Sequence, residues 1–404
     1  MAQTVLVQTP GYALASWTQQ IGQSALRDLL AVAVRPDIIS FALGMPSADL
    51  FPVDAYTQAA AEVLASDRYA LQYGLPFHPL KRHIVELMRL RGVSCREEQI
   101  FLATGAQHAM SLIARLLLEP GGQVLMEEVV YDGMQAVIKP FLPEVLTVPT
   151  DRESGMDVDA VESLLLRGAR PAFIYTITDG HNPLGLNMSC EQRQRLVELA
   201  RRYCIPIVED DAYGLLNYDG DETCTPMRAL DDEWVFYVGS FSKILAPALR
   251  VGWAVVPESL ISRLSIAKHA SDMDICSFTQ RSVSALLDKG IMPDHLALLR
   301  RVYRERRDLM LAAMHKEFPI EVHWRQPQSG LFIWVELPHG VDAFALLQSA
   351  IESERVAFIP GQAFCQPGEM RANNCMRLNF SNCPVTQIEE GIARLARVIS
   401  QEVQ

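Results

Sequence analysis

The chain lacks any run of the roughly 18 to 20 apolar residues that a bilayer-spanning helix requires. Its opening segment, MAQTVLVQTPGYALASW, has no basic stretch leading into a long apolar one. Neither a membrane span nor a secretory leader is expected. Cysteine is sparse for the length: eight in 404 residues (Cys95, Cys190, Cys204, Cys224, Cys276, Cys365, Cys375 and Cys383), with no C-x-x-C pair. That distribution suggests neither a disulfide framework nor a metal site, and it favours a reduced, cytoplasmic protein. There is no lysine/arginine run, and the formal net charge is −12. Nucleic acid and acidic membrane surfaces are therefore not expected partners, and an anionic ligand would need a local pocket of donors. No internal repeat or low-complexity tract breaks the chain.

What is present is an ordinary globular balance, 49% hydrophobic and 21% charged residues, enough for a sizeable core. At about 150 residues per domain the length suggests two to three domains. Short apolar runs at 123–127, 172–178, 205–209, 235–239 and 252–256 read as strands, alternating with segments of helical period. Residues 189–203 open with Ser189 and Gln192 in a capping-box spacing and carry Leu196, Leu199 and Ala200 on one face. Such alternation predicts an α/β architecture with a buried, mostly parallel sheet. Ligands are then expected beyond the carboxyl ends of its strands. After about residue 285 the pattern changes to a long charged amphipathic helix (300–318), short strands at 330–336 and 376–380, and a final helix from 386. This reads as a smaller α+β domain. The expected division is 49–284 for the large domain, with 1–48 and 285–404 forming the N-terminal segment and small domain.

Five segments carry candidate chemistry. In 238–253, VGSFSKILAPALRVGW, a lysine follows a strand among hydroxyls. Lys243 can form an imine with an aldehyde, and Ser240, Ser242 and Arg250 can hold a phosphate. Ser240-x-x-Lys243 also matches the S-x-x-K of serine acyl-enzymes, but the K-T-G and S-D-N partners of that class are missing. In 208–213, VEDDAY, Asp210 ends a strand and is suited to protonate a pyridine nitrogen, with Tyr213 three residues on. In 178–185, TDGHNPLG, Asn182 sits in a turn signal after a strand. In 104–108, TGAQH, a helix opens whose backbone N–H groups can bind an anion. Tyr131 follows another strand and can stack on a ring. Finally Arg377, in MRLNF, can clamp a carboxylate with two parallel bonds. Taken singly, each has an ordinary structural explanation; the order of the set along the chain does not.

That order resembles the class I/II aminotransferases, pyridoxal 5′-phosphate (PLP) enzymes of fold type I, over nearly the whole chain. The phrases GSFSK…P.LR.GW, EDDAY, TGAQ, HNP.G and MRLNFS carry it, and the α-aminoadipate, aromatic and branched-chain branch is the nearest in kind. The resemblance implies a large domain with a mostly parallel, seven-stranded-type sheet flanked by helices, plus the smaller α+β domain. It implies that Lys243 forms the imine and moves the α-proton, and that Asp210 pairs with the pyridine nitrogen. Asn182 and Tyr213 would bind the phenolic oxygen, and Tyr131 would stack. Gly105, Ala106, Gln107, Ser240, Ser242 and Arg250 would hold the phosphate, and Arg377 the substrate carboxylate. Tyr73 would reach the phosphate of a neighbouring subunit, which implies an obligate homodimer with shared sites.

Two loops depart from the family pattern. The loop after Tyr73 reads YGLPFHPLKR and lacks the second glycine, and Leu184 stands where the family has threonine. Amino transfer from an α-amino acid to a 2-oxo acid is the expected reaction. Elimination, replacement or cyclisation, as in the capreomycidine- and enduracididine-forming cyclases, is an alternative, and an aminotransferase-like sensor module is a second one. For the substrate side chain the candidate contacts are Ser16, Arg27, Gly44, Phe77 and His181, Arg27 as a partner for an acidic or polar tail.

Overall fold

The computed structural model describes residues 13–20, 33, 35–151, 155–218, 224–366 and 371–403. The apolar runs form a seven-stranded sheet. Its strands are β1 (Ile100–Ala103), β2 (Gln123–Glu127), β3 (Glu144–Val148), β4 (Ile174–Thr176), β5 (Ile207–Asp210), β6 (Val235–Ser240) and β7 (Gly252–Val255). The spatial order is 1-7-6-5-4-2-3, and β7 runs antiparallel to both its neighbours while the remaining pairings are parallel. "Mostly parallel" thus describes the sheet.

Helices cover both faces, which is why β1, β4, β5, β6 and β7 are buried at every residue rather than alternating. One face, with Met126, Tyr175, Val208, Phe236 and Val238, packs on α3 (Ala106–Leu117) and α4 (Asp132–Ile138). The other, with Leu125, Ile174, Ile207 and Val235, packs on α5 (Val158–Leu166) and α6 (Cys190–Tyr203). The Ser189 hydroxyl accepts from the Gln192 N–H at 3.2 Å, as the sequence spacing predicts. The reciprocal half of the capping box does not form, since the Gln192 carboxamide oxygen is buried without a partner. Two further helices, α1 (Val53–Ser66) and α2 (His78–Leu90), precede β1, and α7 (Glu258–Asp272) and α8 (Ser277–Asp288) follow β7.

A second, antiparallel sheet lies in the C-terminal part. Its strands β8 (His323–Trp324), β9 (Phe332–Glu336), β10 (Ile359–Pro360) and β11 (Cys375–Asn379) stand in the order 8-9-11-10. The long helix reads earlier than expected, α9 (Met292–Glu317), and packs on α11 (Val385–Val403); α10 (Ala343–Ser349) lies between β9 and β10. Residues Ile39 and Ser40 pair in parallel with Val356 and Ala357. This seats the segment after residue 38 against the small sheet and leads it toward the mouth of the large one.

One expectation is corrected. Cys190, at the start of α6, and Cys224 are joined by a disulfide, with Cα atoms 5.3 Å apart at a sequence separation of 34. No spacing rule anticipates this pair, because the fold alone brings the loop after β5 back to the start of α6. The other six cysteines are thiols outside any disulfide. Titration of the unfolded protein without reductant should therefore count six thiols, rising to eight after reduction; eight at the outset would refute the bond. Cys190→Ser should lower stability by about 2–4 kcal/mol, read as a fall in the urea midpoint.

Candidate active site

The strand ends converge. Asp210 closes β5, Ser240 closes β6, Gly105 lies two residues past β1, and Tyr131 and Asn182 follow β2 and β4. They meet Arg377 from β11, across from the main sheet, around a cavity of about 360 Å³. Of the residues singled out in the sequence, Gly44, Ala106, Gln107, Tyr131, Asn182, Asp210, Tyr213, Ser240, Ser242, Lys243, Arg250 and Arg377 line it.

Asp210 is the floor. Its Oδ2 accepts from the Tyr175 hydroxyl at 2.9 Å, while its Oδ1 is buried with no hydrogen-bond partner. Burial pushes the carboxyl up to about 6, against the Tyr175 hydrogen bond and the charge of Lys243, which act downward. Its neighbour Asp211 belongs to a buried ion network. Arg91 bridges Asp211 and Asp179 at 3.0 and 2.6 Å, and Arg193 holds Asp179 at 2.9 Å. Arg193 also donates to the Thr178, Cys224 and Thr225 carbonyls, so the loops bearing Asp210 and Asn182 are fastened together. Removing one partner of such a network strands a buried charge, typically at 3–5 kcal/mol or roughly so.

The Lys243 ammonium donates to the Gly44 carbonyl at 2.8 Å. Burial, then Arg377 and Arg250, push it down to about 8, with Asp210 pulling the other way. On the same side, Gly105 precedes α3 with φ +88°, and a Cβ there would lie 2.4 Å from Arg250 Nη2. Glycine thus both permits the turn and lets the guanidinium close on the helix N-terminus. Arg250 donates to the Thr104 carbonyl at 3.1 Å, and the Ser240 and Ser242 hydroxyls are 2.9 Å apart beside it. A guanidinium, two hydroxyls and the open end of a twelve-residue helix make an anion site. Tyr131 folds back over Gly133, where a Cβ would meet its ring at 2.2 Å.

Arg377 donates to Asn182 Oδ1 at 2.7 Å and to the Ala42 carbonyl at 2.8 Å. Its guanidinium lies 4.2 and 4.8 Å from the ring centres of Phe332 and Phe364, and its Nε has no partner. Burial pushes it down to about 10. Tyr213 is buried beside it, edge-on to Phe332 at 5.8 Å. The orphaned Asp210 Oδ1, the anion site and the amine between them fit PLP: a protonated ring nitrogen, a phosphate and an aldehyde carbon.

Several expected contacts lie elsewhere. Tyr73 is 82% exposed and borders a separate surface cavity with Leu75, Lys81 and Lys268. Ser16 is exposed in a short 3-10 helix, away from the residues lining the site, and Arg27 falls outside the described residues. Phe77 does not line the site; its ring faces Arg281 at 4.7 Å at the entry to α2. His181 is buried against Glu127, 3.2 Å away, and does not line the site. Leu184 lines a second cavity with Leu186, Trp324 and Trp334. Sequence reading missed Asp132, which lines the site one residue after Tyr131, and Tyr175, the partner of Asp210. The signal for Tyr175 was a bulky phenol inside a buried strand beside the one that ends in Asp210.

The sequence pattern described as aminotransferase class I and II matches residues 36–395. The chain belongs to this family. It is 37% identical to the aromatic-amino-acid aminotransferase 1 of Thermococcus litoralis, over 94% of this chain and 92% of that one. Among solved structures it is similar to a kynurenine aminotransferase of Pyrococcus horikoshii (TM-score 0.91, 35% identity, 97% and 98% of the two chains). It is similar also to an α-aminoadipate aminotransferase of Thermus thermophilus holding N-(5′-phosphopyridoxyl)-L-leucine (TM-score 0.88, 35% identity, 97% and 98%). The protein is an enzyme of fold type I with PLP as its cofactor.

With its depressed pKa, Lys243 is mostly neutral above about pH 8 and charged below it. The rate at which the ligand-free protein takes up PLP, followed by its visible absorption, should rise through pH 8 and level off. Arg377→Met removes a repelling cation and should shift that midpoint upward; an unmoved midpoint would show that Arg377 does not act on the amine.

Proposed function

We propose that the chain transfers the α-amino group of an amino acid to a 2-oxo acid, with Lys243 as the residue that anchors PLP and shuttles the proton at the substrate Cα. The observation that carries this reading is the pairing of a buried, half-satisfied Asp210 with a depressed lysine in one cavity. PLP, when bound, supplies an electron sink for negative charge at Cα. The remaining work falls to this chain. Asp210 keeps a charged oxygen for the ring nitrogen, and the Tyr175 hydroxyl holds the other oxygen in place. Asn182, its oxygen turned to Arg377, keeps its NH2 as a donor, and Tyr213 adds a hydroxyl, both for the phenolic oxygen. Gly105, Ala106, Gln107, Ser240, Ser242 and Arg250 take the phosphate, and Tyr131 covers the ring. Arg377 takes the substrate carboxylate and so fixes which Cα bond faces Lys243 Nζ, which accepts the proton in its neutral form. The large domain of this reading is 49–284, with 1–48 and 285–404 as the smaller unit.

We further propose a homodimer with shared sites. Tyr69, Leu71, Tyr73 and Leu75 are 64–89% exposed in one short loop, an apolar surface that a second copy would cover, bringing Tyr73 to its partner's phosphate. Light scattering across a dilution series should give twice the chain mass; a monomer at every concentration would defeat the proposal. The reduced, cytoplasmic setting remains a proposal that six thiols outside any disulfide favour and the Cys190–Cys224 bond opposes.

The activity test is spectral. An amino acid that is a substrate should bleach the visible band, and a 2-oxo acid should restore it. Lys243→Ala should lose that conversion by roughly 10²–10⁴-fold. Exchange of the Cα hydrogen with solvent deuterium without any bleaching would instead mark elimination, replacement or cyclisation.

A further inference from the structure

Five charged side chains line the cavity: Asp132, Asp210, Lys243, Arg250 and Arg377. Under the functional reading above, four are committed to parts that every loaded site contains. Arg250 meets the phosphate, Asp210 the ring nitrogen, Lys243 the covalent link and Arg377 the α-carboxylate. Asp132 is left over, and it is an anion in a cavity whose cofactor and α-carboxylate bring more negative than positive charge.

Its surroundings meet its charge only in part, through Arg377 and the backbone N–H groups at the start of α4. Asp132 stands in the first turn of α4, exposed at the mouth of the cavity. Arg377 is the one described cation that acts on it, and no hydrogen bond joins the two: Arg377 donates to Asn182 and Ala42 and lies over Phe332 and Phe364. Surrounding protein raises the Asp132 carboxyl, while Arg377 and the backbone N–H groups of Asp132 and Gly133 pull it down. Apart from Gln107, Asn182, the two serines and the two tyrosines that the cofactor reading employs, the uncharged wall is apolar, with Leu43, Met45, Met110, Ile177 and Pro247. An apolar wall with one acid suits a flexible hydrocarbon stem ending in a positive charge.

We propose that the substrate is an amino acid whose side chain ends in a cation, an ammonium or guanidinium, and that Asp132 is its counter-charge. The proposal rests on the PLP reading and departs from the aromatic and aminoadipate substrates in the names of the relatives. An acid in a first helical turn also gains from the helix dipole alone, so the test must separate side-chain recognition from a structural role.

Holoenzyme is assayed for band bleaching with L-ornithine, L-lysine and L-arginine, with L-norleucine as the neutral isostere, and with L-2-aminoadipate. At least one cationic amino acid should exceed norleucine and aminoadipate in kcat/KM. Asp132→Asn should lower that cationic value by about 3–5-fold, the upper range for a charge pair open to solvent, and leave norleucine within about twofold. Asp132→Glu should restore part of the loss. Independently of turnover, calorimetry of the ligand-free protein should find phosphopyridoxyl-ornithine bound more tightly than phosphopyridoxyl-norleucine, with the gap closed in Asp132→Asn. Preference for norleucine or aminoadipate in the wild type, or an equal loss for all substrates in Asp132→Asn, would overturn the proposal. A wild-type protein with no visible band after incubation with PLP would overturn the cofactor reading and this inference with it.

Discussion

The site depends on a carboxylate kept underground. Asp210 is fully enclosed at the end of β5, with one oxygen tied to Tyr175 and the other left without a partner. An unsatisfied buried oxygen is costly, and the fold tolerates it only because the surrounding structure is overdetermined. Asp211, next in sequence, is clamped by Arg91 and by the Tyr237 hydroxyl, and its other oxygen caps the Gly214 N–H. The unpartnered Oδ1 of Asp210 is therefore held in a rigid part of the core, as its proposed pairing with a positive N–H group requires. The same burial that raises Asp210 lowers Lys243, so an acid and a base in one cavity are driven toward neutrality until a ligand supplies the missing charge.

The second dependence is between the two sheets. The phosphate end of the cavity is built wholly from the large sheet, where strand ends and the N-terminus of α3 meet. The substrate end needs Arg377, which comes from the small sheet and is held there by Asn182 of the large one. That single bond at 2.7 Å links the two residues proposed for the cofactor's phenolic oxygen and for the substrate carboxylate. The segment carrying Ala42 and Gly44 completes the link, accepting hydrogen bonds from Arg377 and Lys243 in turn.

Much of this was legible beforehand. The cofactor contacts expected from the large domain line the cavity, apart from Tyr73, which borders another one, and Gly105 at the helix N-cap. The reason is that strand-end residues in a parallel sheet are forced to one edge by the topology. The strands β2 and β6 fell within a residue of their expected bounds because buried runs in such sheets are continuous. Contacts from outside that scheme were poorly read. Phe77 and His181 were drawn elsewhere by Arg281 and Glu127, partners far away in sequence. Tyr73 stands in solvent in a single chain.

The sequence by itself determined the chemistry: an amine, a strand-end acid, an anion loop and a carboxylate clamp, in an order that fixes the family, because local motifs and strand periodicity are written in contiguous residues. Only the tertiary structure decided which oxygen of Asp210 is free, that Tyr175 holds the other, that Cys190 meets Cys224, and that Asp132 is the charge without an assigned partner. Each of these depends on distances between segments tens to hundreds of residues apart. Such distances follow from the packing of two sheets and their helices, not from any spacing along the chain.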